Sequence, residues 1–186
     1  MNKSDLRVIK TDKALFNALL ELMKDKTFEE IKISDICSKA FINRSTFYQH
    51  YSDKYELLVS LIDELKQNLF KALKENENEI NTKKYFMKML EILINHIDEK
   101  RDIYSSILIS NQNGIFMDIL LDVANKDINE RIKDKGNIDA NIPSDIITKF
   151  YLGAIISIGI EWLKNNNKYK KDELLNYFDI LIPEKI

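Results

Sequence analysis

Leu58, Leu61, Ile62, Leu65, Leu69 and Leu73 recur in steps of three and four, one continuous apolar stripe along residues 53–74. A strand alternates at every second residue, so this spacing predicts a long helix with one face turned to a core. The same period returns upstream in Leu15, Leu19 and Leu22, broadened by Phe16, Leu20 and Met23, which predicts a first helix over residues 6–24. Downstream it returns in Phe86, Met89, Leu90, Leu93 and Ile97, in Ile103, Ile107 and Leu108 of residues 102–110, and in Phe116, Ile119, Leu120, Val123 and Ile132 of residues 113–133. With only four Gly and two Pro in 186 residues, of which 45% are apolar, the chain is expected to be all-α with short connections and a substantial core. The polar runs at residues 75–84 and 134–142 read as the breaks between helices.

Residues 33–55, ISDICSKAFINRSTFYQHYSDKY, hold two short helical patterns on either side of a turn. Ser34 is a suitable N-cap for a helix carrying Ile36, Cys37 and Ala40 on one side. After Phe41 and Ile42, Asn43 is a second cap, which puts Arg44, Ser45 and Thr46 in a first helical turn, where backbone N–H groups favour an anion such as a DNA phosphate. Phe47 and Tyr51, four apart, face inward, leaving Arg44, Ser45, Thr46, Tyr48, Gln49 and His50 outside. Arginine suits a guanine edge, serine and threonine suit bases or phosphates, and tyrosine and glutamine suit either. Asp53, with Glu56 three residues on, caps the long third-to-follow helix, and Lys54 stands at its start. This is a helix-turn-helix in which Arg44 and Thr46 are the expected base contacts. Ser34, Ser45, Tyr48, His50 and Lys54 are expected to position phosphates, with Lys32 and Gln49 beside them.

The run Thr46-Phe47-Tyr48-Gln49-His50-Tyr51-Ser52-Asp53-Lys54 resembles the end of the DNA-binding signature of TetR-type (TetR/AcrR) transcriptional regulators, which reads Thr, aromatic, Tyr, x, His, aromatic, x, x, Lys. The combination of Asn-Arg-Ser-Thr-Phe-Tyr with Asp-Lys-Tyr is most similar to the dihydroxyacetone-kinase regulator branch. The resemblance covers the first third of the chain in detail and the remainder through its helical layout. It implies a three-helix N-terminal DNA-binding domain, residues 1–55, and a larger C-terminal helical domain for effector sensing and dimerisation, residues 56–186. The family commonly has Gly where this chain has Phe41, and a Phe in the left-handed conformation is strained, so the turn is expected either to change geometry or to carry a local cost.

After Pro143, expected at a first helical position, comes a helix apolar on two sides. Ile147, Tyr151, Ala154, Ile155, Ile158 and Trp162 lie on one side, and Ile146, Phe150, Gly153, Ile156, Ser157, Ile160 and Leu163 on the other. One face packs in its own subunit and the other calls for a partner. With Leu174, Phe178 and Leu181 of a last helix, residues 171–181, the second face predicts a four-helix interface in a homodimer; a central helix of a monomer is the alternative. Phe86, Met89, His96, Tyr104, Phe116, Met117, Tyr151 and Trp162 are candidates for an effector pocket, although each is individually more at home in a core.

Charge and motif content exclude other functions. The net charge of −2 means that affinity for DNA must come from placed groups rather than from an overall basic character. One cysteine, Cys37, allows no intrachain disulfide and reads as a core thiol. Two histidines without ligand spacing argue against a metal, and the absence of GxSxG, Walker or dinucleotide fingerprints argues against an enzyme or a bound cofactor. The first thirteen residues lack a signal-peptide core, and the uncharged stretch 150–160 is short of a membrane span, so a cytoplasmic protein is expected. The expected function is a homodimeric regulator, ligand-responsive and repressing, that reads a pseudo-palindromic operator in double-stranded DNA and answers to a small-molecule or protein effector. The alternative is a helical coactivator that docks on an enzyme or another regulator.

Overall fold

The computed structural model describes residues 3–74, 82–111, 114–135, 142–165 and 168–184. Among these residues the chain is helical without strands: α1 (Lys3–Met23), α2 (Ile33–Ala40), α3 (Arg44–His50), α4 (Lys54–Lys74), α5 (Thr82–Glu99), α6 (Arg101–Ser110), α7 (Ile115–Lys135), α8 (Ser144–Lys164) and α9 (Lys171–Leu181). The polar breaks expected at 75–84 and 134–142 fall mostly outside the described residues.

Two hydrophobic clusters hold the helices together. In the first, Leu15, Phe16, Ala18, Leu19 and Met23 of α1 meet Ile36 and Cys37 of α2, Phe47 of α3, and Leu57 and Leu58 of α4, with Phe28 and Ile31 plugging the space from the connection. Phe47 is fully buried, and truncating such a ring to alanine costs about 3–5 kcal/mol. This cluster does not end with the first three helices, because Ile107 of α6 and Phe116 of α7 are part of it. The second cluster joins Phe86, Leu90 and Ile94 of α5, Trp162 and Leu163 of α8, and Leu174, Phe178 and Ile182 at the C-terminal end.

Two helix starts differ from the expectation. Lys32, not Ser34, occupies the N-cap of α2 with an extended backbone (φ −98°, ψ 152°), and its N–H donates to the Asp35 carboxylate at 3.3 Å. Aspartate in the first turn accepts an otherwise unpaired N–H and complements the helix dipole, so the cap shifts two residues upstream. Pro143 is the N-cap of α8 rather than its first helical residue, with ψ 135°. Asp53 caps α4 as expected, its Oδ1 accepting the N–H groups of Tyr55 and Glu56, each at 2.8 Å.

Phe41 adopts the left-handed conformation, φ 57° and ψ 41°. Its N–H donates to the Ser38 carbonyl at 3.3 Å and the next N–H, of Ile42, to the Cys37 carbonyl at 2.9 Å. These two bonds form a Schellman motif, which ends α2 and turns the chain toward α3. The turn therefore keeps the geometry that glycine favours and carries the cost, roughly 1–2 kcal/mol for an L residue with a Cβ.

α8 packs on α7 and α6. Thr148, Trp162 and Leu163 are buried, while Ile146, Phe150, Gly153, Ala154 and Ser157 are exposed. By length and composition alone this helix, an 18-residue window of which has a mean hydropathy of 1.5, is apolar enough to cross a bilayer. The uncharged stretch 150–160 is the middle part of this helix.

Candidate nucleic-acid interface

α3 is held from within by apolar and polar contacts together. Phe47 and Tyr51 are buried, as their spacing predicted, and their rings lie 6.1 Å apart. Asp12 of α1 takes two hydrogen bonds on one carboxylate oxygen, from the Tyr51 hydroxyl and from His50 Nδ1, each at 2.9 Å. Burial pushes the Tyr51 hydroxyl up from its ordinary pKa, and the bond to Asp12 adds to the effect, so it stays protonated and donating. The outward side of α3 carries Arg44, Ser45, Tyr48 and Gln49 in the open, with Thr46 and His50 half-buried. Tyr48 leans edge-on against Phe47, centroids 5.5 Å apart, which braces its ring beside the exposed face. Lys32 is exposed at the start of α2 and Ser34, two residues on, is half-buried.

Two groups expected at phosphates have tasks inside the protein. Lys54 Nζ donates to the carbonyls of Phe28, Glu29 and Ile31 at 2.9, 2.9 and 2.8 Å. These bonds use all three of its protons, and the ammonium lies 4.8 Å from the Phe28 ring centre. Burial lowers its pKa, a sign of partial desolvation. Lys54 thus ties the connection between α1 and α2 to the first turn of α4, a task inside the subunit besides the phosphate contact expected of it. His50 is likewise oriented by Asp12 through Nδ1. Cys37 is buried and its thiol is raised by that burial, the behaviour of a core thiol.

The same connection is gripped from the other side. Asn111 is 2% exposed; its Oδ1 accepts the Phe28 N–H at 2.7 Å and its Nδ2 donates to the Ile107 carbonyl at 2.8 Å. Glu29 Oε1 accepts the Ile115 N–H at 2.7 Å, at the start of α7. Periodicity gives no signal for such bonds, because Asn111 and Asp12 look like ordinary polar residues in the sequence.

The eight candidate pocket residues are not brought to one place. Phe116 belongs to the first cluster; Phe86 and Trp162 belong to the second, with Met89 and Tyr151 packed against it. Met117 is buried as well. His96 Nε2 and the Tyr104 hydroxyl form a hydrogen bond of 2.7 Å, with burial lowering His96 and pushing Tyr104 up to about 12. A groove between α5 and α9, lined by Lys84, Met87, Lys88, Glu91 and Leu175, contains none of the eight.

Of the candidate dimer residues, Phe150, Gly153 and Ser157 are exposed, and Ile156 and Ile160 are half-buried. Leu163, Leu174 and Phe178 are corrected: they are buried in the second cluster, where α8 ends against α5 and α9. The free side of α9 is instead Tyr177, Ile180 and Leu181. A Cβ at Gly153 would meet nothing within 4 Å, so the subunit itself gives no reason for a small residue there.

A short helix fixed by Phe47, Tyr51 and Asp12, with arginine, serine, tyrosine and amide groups on its outer side, is the second half of a helix-turn-helix, the element with which DNA-binding regulators enter a major groove. The chain belongs to the TetR family of bacterial transcriptional regulators. The pattern described as bacterial regulatory proteins, tetR family, matches residues 15–61, and that of a transcriptional regulator C-terminal region matches residues 86–184. Over 59 residues the chain is 46% identical to YxbF of Bacillus subtilis (strain 168), an uncharacterized HTH-type transcriptional regulator; the match spans 31% of this chain and 16% of YxbF. It is 23% identical over 163 residues to DhaS of Lactococcus lactis subsp. lactis (strain IL1403), the dhaKLM operon transcriptional activator, covering 87% of this chain and 83% of DhaS. The structure of a TetR transcriptional regulator from Streptococcus agalactiae 2603V superposes with a TM-score of 0.66 at 26% identity, covering 96% of each chain.

Proposed function

We propose that the chain is a ligand-responsive homodimeric repressor in which residues 1–55 bind DNA and residues 56–186 sense an effector and dimerise. Each subunit places α3 in a major groove, and two subunits read half-sites about 34–36 Å apart, or a multiple of that. The observation that carries this reading is the outward face of α3. Arg44 there is free to pair with a guanine edge, Thr46, Ser45, Tyr48 and Gln49 lie beside it, and Lys32 and Ser34 flank it on α2. The exposed apolar side of α8, from Ile146 to Ser157, together with Tyr177, Ile180 and Leu181 of α9, is the surface for the second copy. An effector releases DNA only if it binds one conformer more tightly than the other. The opposite sign of regulation, activation, is favoured by the likeness to DhaS, which is named an activator.

Selection of duplexes from a random pool tests the reading. The expected product is a pseudo-palindrome bound by a dimer, and Arg44→Ala relaxes its sequence preference while leaving binding to scrambled duplex nearly unchanged. Recovery of no preferred duplex at any salt concentration sinks the DNA-reading role of α3. Placing the selected site upstream of and over a promoter then separates repression from activation.

A further inference from the structure

Phe41 is 97% exposed and left-handed at the turn joining α2 to α3. Both features work against the fold. Glycine would relieve the backbone strain that the two Schellman hydrogen bonds impose, and it would remove an aromatic side chain from water. Among the described residues the first cluster is complete without the ring. A side chain that costs stability and touches almost nothing is accounted for by what it meets in a complex.

The position names the partner. Phe41 lies three residues before Arg44, so its Cα is within roughly 10–11 Å of the first residue of α3. A duplex that receives Arg44 in its major groove brings a groove edge within reach of residue 41. The phenyl ring has no donor or acceptor, so it cannot act as a phosphate clamp. It matches the apolar features of that edge: the thymine C5-methyl group, or the face of a deoxyribose.

We infer that Phe41 is a DNA-contacting residue that makes an apolar contact at the edge of the half-site, with thymine methyl as the preferred group. The inference rests on the proposed docking of α3. The Schellman turn then serves to hold the ring outward, and stability is given up for recognition.

The experiment uses the full-length protein, the duplex it selects, and Phe41→Gly, Phe41→Met and Arg44→Ala variants. Phe41→Gly is expected to raise the Tm by about 2–4 °C and yet to weaken binding to the selected duplex about tenfold. Phe41→Met, which keeps apolar bulk, retains most of the affinity. Replacing each thymine of the half-site flank in turn by uracil weakens the unsubstituted protein at one position and leaves Phe41→Gly unaffected. If uracil has no effect anywhere while Phe41→Gly still loses affinity, the deoxyribose face is the surface met. Phe41→Gly binding as tightly as the unsubstituted protein overturns the inference. If Arg44→Ala loses selectivity in the same assay, the docking of α3 stands without it; if Arg44→Ala is also neutral, the docking itself is wrong.

Discussion

The Asn111 side-chain oxygen accepts the backbone N–H of Phe28 at 2.7 Å, across 83 positions of sequence. That bond lies at the junction of α6 with α7 on one side and the connection between α1 and α2 on the other. With Lys54 holding the same connection from α4, the DNA-binding helices are fastened to the rest of the chain through residues 28–31.

Replacing Asn111 by Leu keeps the volume and strands the Phe28 N–H in a dry place. The expected cost is about 1–3 kcal/mol, the penalty of an unpaired buried donor. Urea unfolding followed by circular dichroism measures it, and an unchanged midpoint means that water replaces the amide there.

Lys54→Met distinguishes a positioning lysine from a phosphate contact. Losing the charge-assisted bonds to three carbonyls is expected to lower stability by roughly 2–3 kcal/mol. The slope of log affinity against log salt should stay as it is. A slope flatter by about one unit returns Lys54 to the phosphate backbone.

His96 makes stability depend on pH. Burial, with Lys100 nearby, depresses its pKa in the folded state below the ordinary 6.5, so the unfolded chain binds the proton more readily. Stability from this site is full above about pH 6.5 and declines as the pH falls through the folded value, with a slope of at most about 1.4 kcal/mol per pH unit. His96→Gln, which keeps a partner for the Tyr104 hydroxyl, should abolish that slope between pH 7 and 5. Parallel profiles for the two proteins rule out His96 as the source.

Phe150, 70% exposed, and Ile180, 71% exposed, test the association surface. Phe150→Glu is expected to give a helical, folded monomer by sedimentation, because the substitution touches no core. Leu174→Glu, buried in the second cluster, is expected to unfold that half of the chain instead. A Phe150→Glu protein that remains a dimer moves the interface elsewhere.

Which parts were legible in the sequence follows from how far each signal reaches along the chain. The stripes of α1, α4 and α5 and the inward pair Phe47 and Tyr51 are periodic, so a few neighbouring residues suffice to place them. The outer face of α3 followed from the same periodicity as the residues left over. The turn at Phe41 was legible as a problem, a bulky residue where glycine fits. Its outcome was not, since strain at one residue is outweighed by hydrogen bonds that only the completed turn contains.

On α9 the spacing puts Leu174, Phe178 and Leu181 on one apolar side, and spacing cannot say what that side meets. Packing against α5 and the end of α8 buried Leu174 and Phe178, and left Leu181 exposed with Tyr177 and Ile180. Lys54 shows the same division. Its place at the start of α4 was determined by Asp53 and the helix pattern, whereas its three carbonyl partners come from a segment 23–26 residues away and exist only once α1, α2 and α4 have closed on one another. By itself the sequence determined the helices, the inner faces of α1, α4 and α5 and the outward residues of α3, because those depend on local spacing. The tertiary structure decided which polar side chains are fasteners and which apolar faces stay open, because both depend on partners distant in the chain.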